Sequence, residues 1–375
     1  MEKLALMPFS WGGKRVLVTG HTGFKGAWLS LCLAEHGAQV FGYALPPATE
    51  PNLFELAGLD RVVTSTFGDI NDQAALARRL DESQPEIVFH LAAQALVRAS
   101  YGDPVGTFAT NVGGVVSLLH AVRNAPSVKA VVVVTSDKCY DNKEWVWGYR
   151  ETDPLGGRDP YSASKGAAEI AVRSMQMSFF QPYAPAGHSA RVATMRAGNV
   201  IGGGDWSDDR LVPDIIKGCL GPAGEVVLRN PAAVRPWQHV LEPVEAYLRV
   251  AALLCQSPEG IDEAWNVGPE ASDIRAVGQV AQSLVAQLGT GRVRVETRAD
   301  APHEANLLVL DCSKARARLG WNPALTFDEC IAFTADWYAT WHAGRDMAAF
   351  TREQIAEYRR RLLARTDLPT SRGAA

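Results

Sequence analysis

Short apolar runs alternate with helical patterns over the first 135 residues. The apolar runs are RVLVT (15–19), AQVFGYAL (38–45), VVTSTF (62–67), EIVFHLA (86–92) and AVVVVT (130–135). The segments with a helical period are 25–37, 73–82 and 107–125. Runs without a polar face are typical of strands that are covered on both sides of a parallel sheet. The alternation therefore predicts an α/β fold with a Rossmann-type, doubly wound parallel sheet.

The pattern changes near residue 200, where Gly, Pro and Trp interrupt it in NVIGGGDWSDDR and RNPAAVRPWQHV. We expect a first domain over 1–200 and a smaller C-terminal lobe mainly over 201–350. The segment AWNVG, 264–268, is predicted to return one strand to the sheet. The residues from 351 to 375 predict a charged helix that ends in a disordered tail.

Composition excludes several classes of protein. The chain has 375 residues and a net charge of −4, with Lys and Arg scattered along it, which gives no general attraction to nucleic acid or to an anionic membrane. Six cysteines without metal-ligand spacing predict reduced thiols and no metal site. No apolar run approaches the ~18 residues of a membrane span, and the first residues have too short an apolar centre for a signal peptide. We therefore expect a cytoplasmic protein.

A glycine-rich turn follows the first predicted strand. In VLVTGHTGFKGAWL, Gly20, Gly23 and Gly26 have GxxGxxG spacing between a strand and a helix. Glycines allow a tight turn and a close backbone approach, while the helix start offers free N–H groups to a pyrophosphate. The alternative is an ordinary strand–helix turn, but the flanking strand and helix favour a dinucleotide site.

The second strand ends in residues that favour NAD only weakly. A carboxylate there usually holds the adenosine ribose, and an arginine holds a 2′-phosphate. Ala44, Leu45 and Pro46 supply neither group, so the missing cation points to NAD over NADP. Asp69, which follows the third strand, either contacts the adenine or caps the next helix.

A tyrosine and a lysine stand four residues apart in GGRDPYSASKGAAEI. Asp159 and Pro160 are predicted to be the N-cap and the first residue of a helix, which puts Tyr161 and Lys165 on one face. An ammonium close to a phenol stabilises the phenolate, so the tyrosine pKa is expected to fall from ~10 towards the range of a general base.

Polar residues crowd the end of the most apolar strand, in VVVVTSDKCYDNKEW. The carboxyl end of a central parallel strand faces the crevice in which such sheets bind ligands. Ser136, Asp137 and Lys138 are therefore predicted to lie at the reaction centre. The alternative is a helix cap with a surface salt bridge.

Taken together, these motifs resemble the extended short-chain dehydrogenase/reductase superfamily over nearly the whole chain. Further matches are HLAAQALV (90–97) and RAGNVIGGGDW (196–206). Within the superfamily, SDKCYDNKE, GRDPYSASKG, RPWQHVLEP and LDCSKARARLGW are most similar to the CDP-glucose 4,6-dehydratases. The resemblance implies bound NAD and CDP-glucose as substrate. It also implies a lyase reaction with hydride transfer from C4 to C6, and a homodimer or a dimer of dimers.

The resemblance also implies particular binding residues. The expected cofactor-binding residues are Gly20, His21, Thr22, Gly23, Phe24, Lys25, Gly26, Asp69, Ile70, Leu91, Ala92, Ala93, Thr135, Tyr161 and Lys165. The expected substrate-binding residues are Gln94, Ser136, Arg196, Asn199, Arg210, Arg235 and His239. Arg235 is the best candidate for the diphosphate because a planar guanidinium makes bidentate contacts.

The implied catalytic residues are Ser136, Asp137, Lys138, Tyr161 and Lys165. Tyr161 takes the proton of the C4 hydroxyl, Ser136 binds near O4, and Lys165 holds the cofactor ribose. Asp137 protonates the departing C6 hydroxyl, which requires a raised pKa. Most sugar-nucleotide 4,6-dehydratases carry Thr-Asp-Glu where this chain has Ser-Asp-Lys. Lys138 either stabilises the enolate or, with a depressed pKa, removes the C5 proton.

Two other functions share part of this pattern. A nucleotide-sugar epimerase or reductase needs the glycine turn, Tyr161 and Lys165, but no acid to expel a C6 hydroxyl. A non-catalytic NAD-binding sensor needs only the glycine turn. Asp137 argues against the first function, and the tyrosine–lysine pair argues against the second.

Overall fold

A seven-stranded parallel sheet forms the centre of the protein, which confirms the α/β class expected from the apolar runs. The computed structural model describes residues 9–228, 230–256, 260–296 and 307–366. In chain order the strands are β1 Arg15–Thr19, β2 Gln39–Ala44, β3 Val63–Phe67, β4 Ile87–His90, β5 Ala130–Val134, β6 Arg191–Ala197, β7 Asn199–Ile201, β8 Glu225–Leu228, β9 Val234–Arg235, β10 Trp237–His239, β11 Ala264–Val267, β12 Arg275–Ala276 and β13 Arg292–Val295.

Helices cover both faces of this sheet. They are α1 Phe24–Glu35, α2 Leu53–Leu56, α3 Gln73–Ser83, α4 Val97–Gly102, α5 Pro104–Phe108, α6 Gly114–Val122, α7 Pro160–Phe179, α8 Leu211–Leu220, α9 Leu241–Gln256, α10 Val277–Leu288, α11 Phe327–His342 and α12 Met347–Thr366. Leu76, Leu118 and Val172 from α3, α6 and α7 pack on one face. Trp28 and Tyr247 from α1 and α9 pack on the other. Burial on both faces explains why the strands are apolar throughout.

The strand order in the sheet is β11-β6-β5-β4-β1-β2-β3. Successive strands are added on one side from β1 to β3 and on the other side from β4 to β11, so the loops after β1 and β4 diverge. Thr19 and His90 are register partners at the carboxyl ends of β1 and β4. Ligands of such sheets bind outside the carboxyl ends at this switch point. The topology brings the glycine turn after β1 and the polar cluster after β5 to one edge.

The chain after residue 200 crosses more than once between the sheet and the smaller lobe. α9 packs on β5 and β6, and β11 pairs with β6 at the sheet edge, where the sequence predicts a returning strand. Short pairs of strands, β7 with β10, β8 with β13 and β9 with β12, build the lobe. α12 is the predicted charged helix, and Arg352 on it pairs with Glu35 of α1 at 3.0 Å. The predicted disordered tail beyond 366 lies outside the described residues.

The single helix predicted over 107–125 is interrupted in the structure. A π-helical turn, Ala109–Gly113, separates α5 from α6. Asn111 in this turn donates to Gln94 O at 3.0 Å and to Ser164 Oγ at 2.8 Å. By length and composition, Pro104–Val122 is apolar enough to cross a membrane, although half of it is buried in the protein. The helix packs on α3 and α7, as the core helix of a layered α/β domain does.

Candidate active site

The glycine turn between β1 and α1 is closed to side chains. Gly20 has a φ of +76°, and a Cβ there would lie 2.6 Å from Ala92 N. A Cβ on Gly26 would lie 2.0 Å from Gly20 O. Gly23 is the N-cap of α1 and provides no side-chain cap. The first amides of α1 therefore face a cradle of bare backbone, which fits a pyrophosphate.

The side chains of the turn point away from that cradle. His21 is fully buried, and its Nε2 lies 3.0 Å from Ser65 Oγ on β3. Burial, with Arg79 as a second cause, lowers the pKa of His21 to about 4. Thr22 donates to Leu45 O at 2.9 Å. The side chains of His21 and Thr22 therefore brace the turn against β3 and the end of β2. Only their backbone is left to face a ligand.

The ends of β2 and β3 present apolar side chains to the region expected to hold an adenosine. Leu45 and Phe67 are both more than half exposed. The Phe67 ring stacks on His21 with centroids 6.4 Å apart. Asp69 is exposed, and its Oδ1 accepts from Asn71 N at 2.9 Å. Ile70, also a predicted cofactor residue, is buried.

The start of α7 has the capping predicted from the sequence. Asp159 is the N-cap, its Oδ1 accepts from Ser162 N at 2.9 Å, and Pro160 is the first helical residue. Tyr161 and Lys165 lie one turn apart, 8% and 6% exposed. Ser100 Oγ accepts from Tyr161 N at 3.1 Å and fixes the first turn against α4. The helix therefore holds the phenol and the ammonium on its sheet-facing side.

Ser136, Asp137 and Lys138 lie at the carboxyl end of β5 beside this helix face. Ser136 caps a 3₁₀ turn over Asp137–Cys139 and donates to Asp137 Oδ1 at 2.9 Å. Asp137 is 3% exposed, and its Oδ2 has no partner within the described chain. Burial raises the pKa of Asp137, although Lys138, Ser136, Lys25 and Arg235 oppose the rise. An acid held in this way keeps a proton at higher pH than an ordinary aspartate.

The pKa of Tyr161 moves opposite to the expectation. Burial raises it to about 12, and contact with the Ser136 hydroxyl opposes the rise only in part. Burial also lowers the pKa of Lys165 to about 8, while Glu169 and Cys139 raise it. The reason is desolvation, which disfavours both the phenolate and the ammonium. The four-residue spacing alone therefore does not activate the phenol, and a further cation is needed beside it.

One cation reaches the cluster from the glycine turn. Lys25 interacts electrostatically with Asp137, Arg210 and Lys165. Burial and then Arg210 lower its pKa to about 8. The sequence marks Lys25 only as a cofactor residue, because nothing in its spacing shows that the turn and the end of β5 meet. The fold places its charge among the reacting groups.

Three predicted substrate residues lie close to this cluster or at its rim. Arg210 acts on the pKa of Tyr161 and pairs with the buried Asp205 at 2.9 Å. Arg235 acts on the pKa of Asp137, and its guanidinium donates to Val234 O at 2.8 Å. Asn199 is half-buried on β7. Arg210 and Arg235 put positive charge where a diphosphate is expected, and Asn199 adds a neutral polar group.

Three other predicted substrate residues are engaged elsewhere. Arg196 is 3% exposed and pairs with Glu169 at 2.8 Å. His239 is fully buried between Trp28 and Phe333, and burial lowers its pKa to about 3. The Gln94 amide donates to Leu96 O and to Thr107 Oγ1, both at 3.0 Å. Arg196 and His239 are therefore buried inside the protein, whereas Gln94 is half-buried and its amide is held by hydrogen bonds within the chain.

Two further positions qualify the sequence analysis. Trp237 is buried and donates to Arg275 O at 3.0 Å, so it packs in the core of the lobe. Glu169 was missed, although it continues the four-residue spacing of Tyr161 and Lys165. A cavity of about 870 Å³ is lined by Pro236 and Trp147 but by none of the five predicted catalytic residues. This cavity is therefore not the predicted reaction centre.

Comparison with known proteins places the chain among the sugar-nucleotide dehydratases. Residues 17–334 match the family model described as GDP-mannose 4,6 dehydratase. The chain is 48% identical over 348 residues to the CDP-glucose 4,6-dehydratase of Salmonella typhimurium, covering 93% of this chain and 97% of that protein. It is 31% identical to a dTDP-glucose 4,6-dehydratase of Xanthomonas campestris, covering 86% and 93%.

Solved structures with the same fold include enzymes of two reaction types. A dTDP-glucose 4,6-dehydratase of Streptomyces venezuelae with bound NAD has a TM-score of 0.73 at 25% identity, covering 89% of this chain and 99% of that one. A UDP-glucose 4-epimerase of Thermotoga maritima has a TM-score of 0.75 at 23% identity, covering 87% and 99%. The fold is thus common to dehydratases and epimerases, and the side chains of the site must separate them.

Proposed function

The chain belongs to the GDP-mannose 4,6 dehydratase family, and from this premise we propose that it is a cytoplasmic CDP-glucose 4,6-dehydratase. The reaction converts CDP-glucose to CDP-4-keto-6-deoxyglucose and water. The similarity to the Salmonella enzyme supports CDP-glucose as substrate. The observation that carries dehydration is the buried Asp137 carboxyl, which has an unpartnered oxygen beside Tyr161.

NAD is the proposed cofactor, and the residues of the site fit it. The backbone cradle of Gly20, Gly23 and Gly26 suits the pyrophosphate, since a Cβ on Gly20 or Gly26 would collide with neighbouring backbone. Leu45 and Phe67 offer an apolar surface to the adenine. Neither an acid nor an arginine follows β2, so nothing there selects for a 2′-phosphate. When bound, NAD supplies the hydride acceptor for C4 and the hydride donor for C6.

Tyr161 takes the proton of the C4 hydroxyl while the C4 hydrogen leaves as hydride. With a pKa of about 12, the phenol of Tyr161 is rarely ionised at neutral pH. Cations beside the phenol lower this pKa, and Arg210 acts in this direction. Lys165, on the next helical turn, holds the nicotinamide ribose, and Ser136 orients the C4 oxygen. The product of this step is a C4 ketone that acidifies C5.

Asp137 then gives its proton to the C6 hydroxyl. The carbon–oxygen bond at C6 breaks as the C5 proton passes to solvent, and the hydroxyl leaves as water with the proton from Asp137. Burial raises the pKa of Asp137, which favours the protonated carboxyl that this step requires. The hydride then returns to C6 and a solvent proton enters C5. Tyr161 releases to solvent the proton that it took from the C4 hydroxyl, and Asp137 regains a proton from solvent, so that the net change is the loss of one water.

Lys138 stands where the resemblance to sugar-nucleotide 4,6-dehydratases leads us to expect glutamate. Its side chain is half-buried, and it is the first of the groups that oppose the pKa rise of Asp137. An ammonium at this place stabilises the negative charge that develops when C5 loses its proton. We assign it to enolate stabilisation; direct removal of the C5 proton by a neutral lysine is the alternative.

The diphosphate of the substrate is assigned to Arg235, with Arg210 as a second cation. Arg235 lies near enough to Asp137 to affect its pKa, so a phosphate on its guanidinium directs the sugar into the cluster. Arg210 is tied to Asp205 at 2.9 Å and is therefore fixed in place. Asn199 on β7 is the remaining polar candidate at this rim.

A second copy of this chain is the proposed partner, forming a homodimer or a dimer of dimers. Large apolar side chains are exposed on adjoining helices: Val105 on α5 is 80% exposed and Ile170 on α7 is 61% exposed. Tyr101, Phe108 and Met177 extend the same region. Two copies pairing through α5, α6 and α7 would cover it. Sedimentation at micromolar concentration should show a dimer or larger, and a monomer would contradict the pairing.

A panel of nucleotide sugars tests the proposed reaction. Purified protein with NAD is incubated with CDP-, dTDP-, GDP- and UDP-glucose, and the products are separated and weighed by mass spectrometry. The proposal predicts a 4-keto product lighter by one water, formed fastest from CDP-glucose. A C4 epimer of unchanged mass would identify an epimerase, and bound NAD with no product would identify a sensor.

A further inference from the structure

We infer that Glu169 is a positioning residue of the reaction, which fixes α7, and with it Tyr161 and Lys165, against the sheet. The inference rests on the proposed function, in which Lys165 acts as a cation beside Tyr161. Tyr161, Lys165 and Glu169 follow one another at four-residue intervals, so they share one face of α7. All three are buried.

The Glu169 carboxylate joins three elements of the site. Its Oε1 accepts from Thr135 Oγ1, directly before Ser136 at the end of β5. Its Oε2 accepts from Thr194 Oγ1 and from the Arg196 guanidinium on β6, each at 2.8 Å. Two hydroxyls and one cation therefore bind a single buried carboxylate. This arrangement ties the face of α7 that carries Tyr161 and Lys165 to the residue before Ser136 and to β6.

Arg196 extends the connection to the rest of the site. It donates to Tyr140 OH at 2.8 Å and to Glu151 O at 3.1 Å. Tyr140 OH in turn donates to Asn266 Oδ1 on β11 at 2.7 Å. Although burial opposes the charge of Arg196, Glu169 holds its pKa above the ordinary value. The Glu169 carboxylate therefore interacts with two cations: it contacts Arg196 directly, and Lys165 lies one helical turn away.

The charges around Lys165 show why the carboxylate matters. Lys25 from the glycine turn and His90 from β4 interact with Lys165, and Cys139 from the loop after β5 and Glu169 from its own helix raise its pKa. Burial is the largest cause and lowers that pKa to about 8. Because Cys139 is a buried, neutral thiol at ordinary pH, Glu169 is the anion that sustains the ammonium. Without it, Lys165 loses its proton at lower pH.

Three variants separate this role from simple packing. Glu169→Gln keeps the shape but removes the charge. Glu169→Gln/Arg196→Met removes both partners, which avoids an unpaired buried arginine and protects the fold. The matched control is Asp262→Asn/Arg191→Met, which removes another buried pair, 2.9 Å apart, with its arginine on the same strand β6. Turnover and KM for CDP-glucose are measured from pH 6 to pH 10, together with thermal unfolding of the protein without substrate.

In both Glu169 variants, the alkaline limb of turnover should move down by roughly one pH unit, with KM nearly unchanged. Thermal unfolding gives a readout that does not depend on catalysis. Since the folded pKa of Lys165 is below its unfolded value, stability rises with pH above the folded pKa. That rise should begin at lower pH in the Glu169 variants and stay unchanged in the control.

Two results would overturn the inference: an unshifted profile in the double variant, or the same shift in the Asp262 control. If wild-type protein forms no 4-keto product, the proposed function fails instead. The onset of the stability rise then still decides whether Glu169 acts on Lys165.

Discussion

The glycine turn and the catalytic face of α7 are two ways of building a site. In the turn, backbone packs closely against backbone, and a Cβ on Gly26 would lie only 2.0 Å from Gly20 O. The face of α7 is made of buried ionisable side chains, and burial sets the pKa of Tyr161 to about 12 and of Lys165 to about 8. The turn therefore depends on space, whereas the helix face depends on charge. Substitutions should show the two kinds of dependence separately.

Removing the Tyr161 hydroxyl should have the largest effect on turnover. Tyr161→Phe keeps the ring but cannot take the C4 proton, so turnover should fall by ~10² to 10⁴, the scale of a positioned acid/base. NAD and CDP-glucose binding should persist, since the turn and the arginines are intact. Calorimetry and product formation measure the two properties. Near-normal turnover in a folded variant would remove Tyr161 from the mechanism.

Asp137→Asn should slow turnover by about 10² and stop the reaction after oxidation, because an amide cannot protonate the C6 hydroxyl. Reduced cofactor should then accumulate, visible by its absorbance. The same variant should be more stable than wild type at neutral pH. The folded pKa of Asp137 is raised, so its ionised form is disfavoured in the fold and stability is lost as pH rises through that pKa. The variant and the wild type should be equally stable at pH 4, and the variant should be the more stable of the two at pH 7.

Gly26→Ala tests the turn, where space rather than charge decides. The added methyl forces the backbone apart at a cost of about 1–3 kcal/mol, so NAD affinity should fall about tenfold to a hundredfold. Gly12→Ala is the control, since its Cβ would lie 3.5 Å from Ser10 Oγ, an ordinary contact. Titration of NAD into each variant measures the loss. Equal affinities would mean that the turn does not carry the cofactor.

Lys138→Met should have the smallest effect, about tenfold, because the side chain is half-buried and water screens part of its charge. In deuterated solvent the variant should exchange the C5 hydrogen more slowly while oxidation at C4 continues. The rate of deuterium entry at C5 is read by NMR. Exchange at the wild-type rate would leave Lys138 a structural residue.

The same contrast explains what the sequence predicts. The fold, the turn and the cap of α7 follow from local patterns, because period, glycine spacing and Asp159-Pro160 act within a few residues. Arg196 and His239 were expected at the substrate because motif membership does not show which face of a strand points inward. Glu169 was missed because its partners, Thr135, Thr194 and Arg196, come from two strands that only the fold brings together. The pKa of Tyr161 likewise depends on burial, which cannot be read from the spacing of residues in the sequence.

The central claim is that hydride moves from C4 to C6 of one sugar, with loss of the C6 hydroxyl. CDP-glucose deuterated at C4, mixed with unlabelled substrate, tests it directly. The account predicts a 4-keto product that carries deuterium at C6, with no transfer of label between molecules. Deuterium retained at C4 in a product of unchanged mass, or label lost to the free cofactor pool, would contradict it.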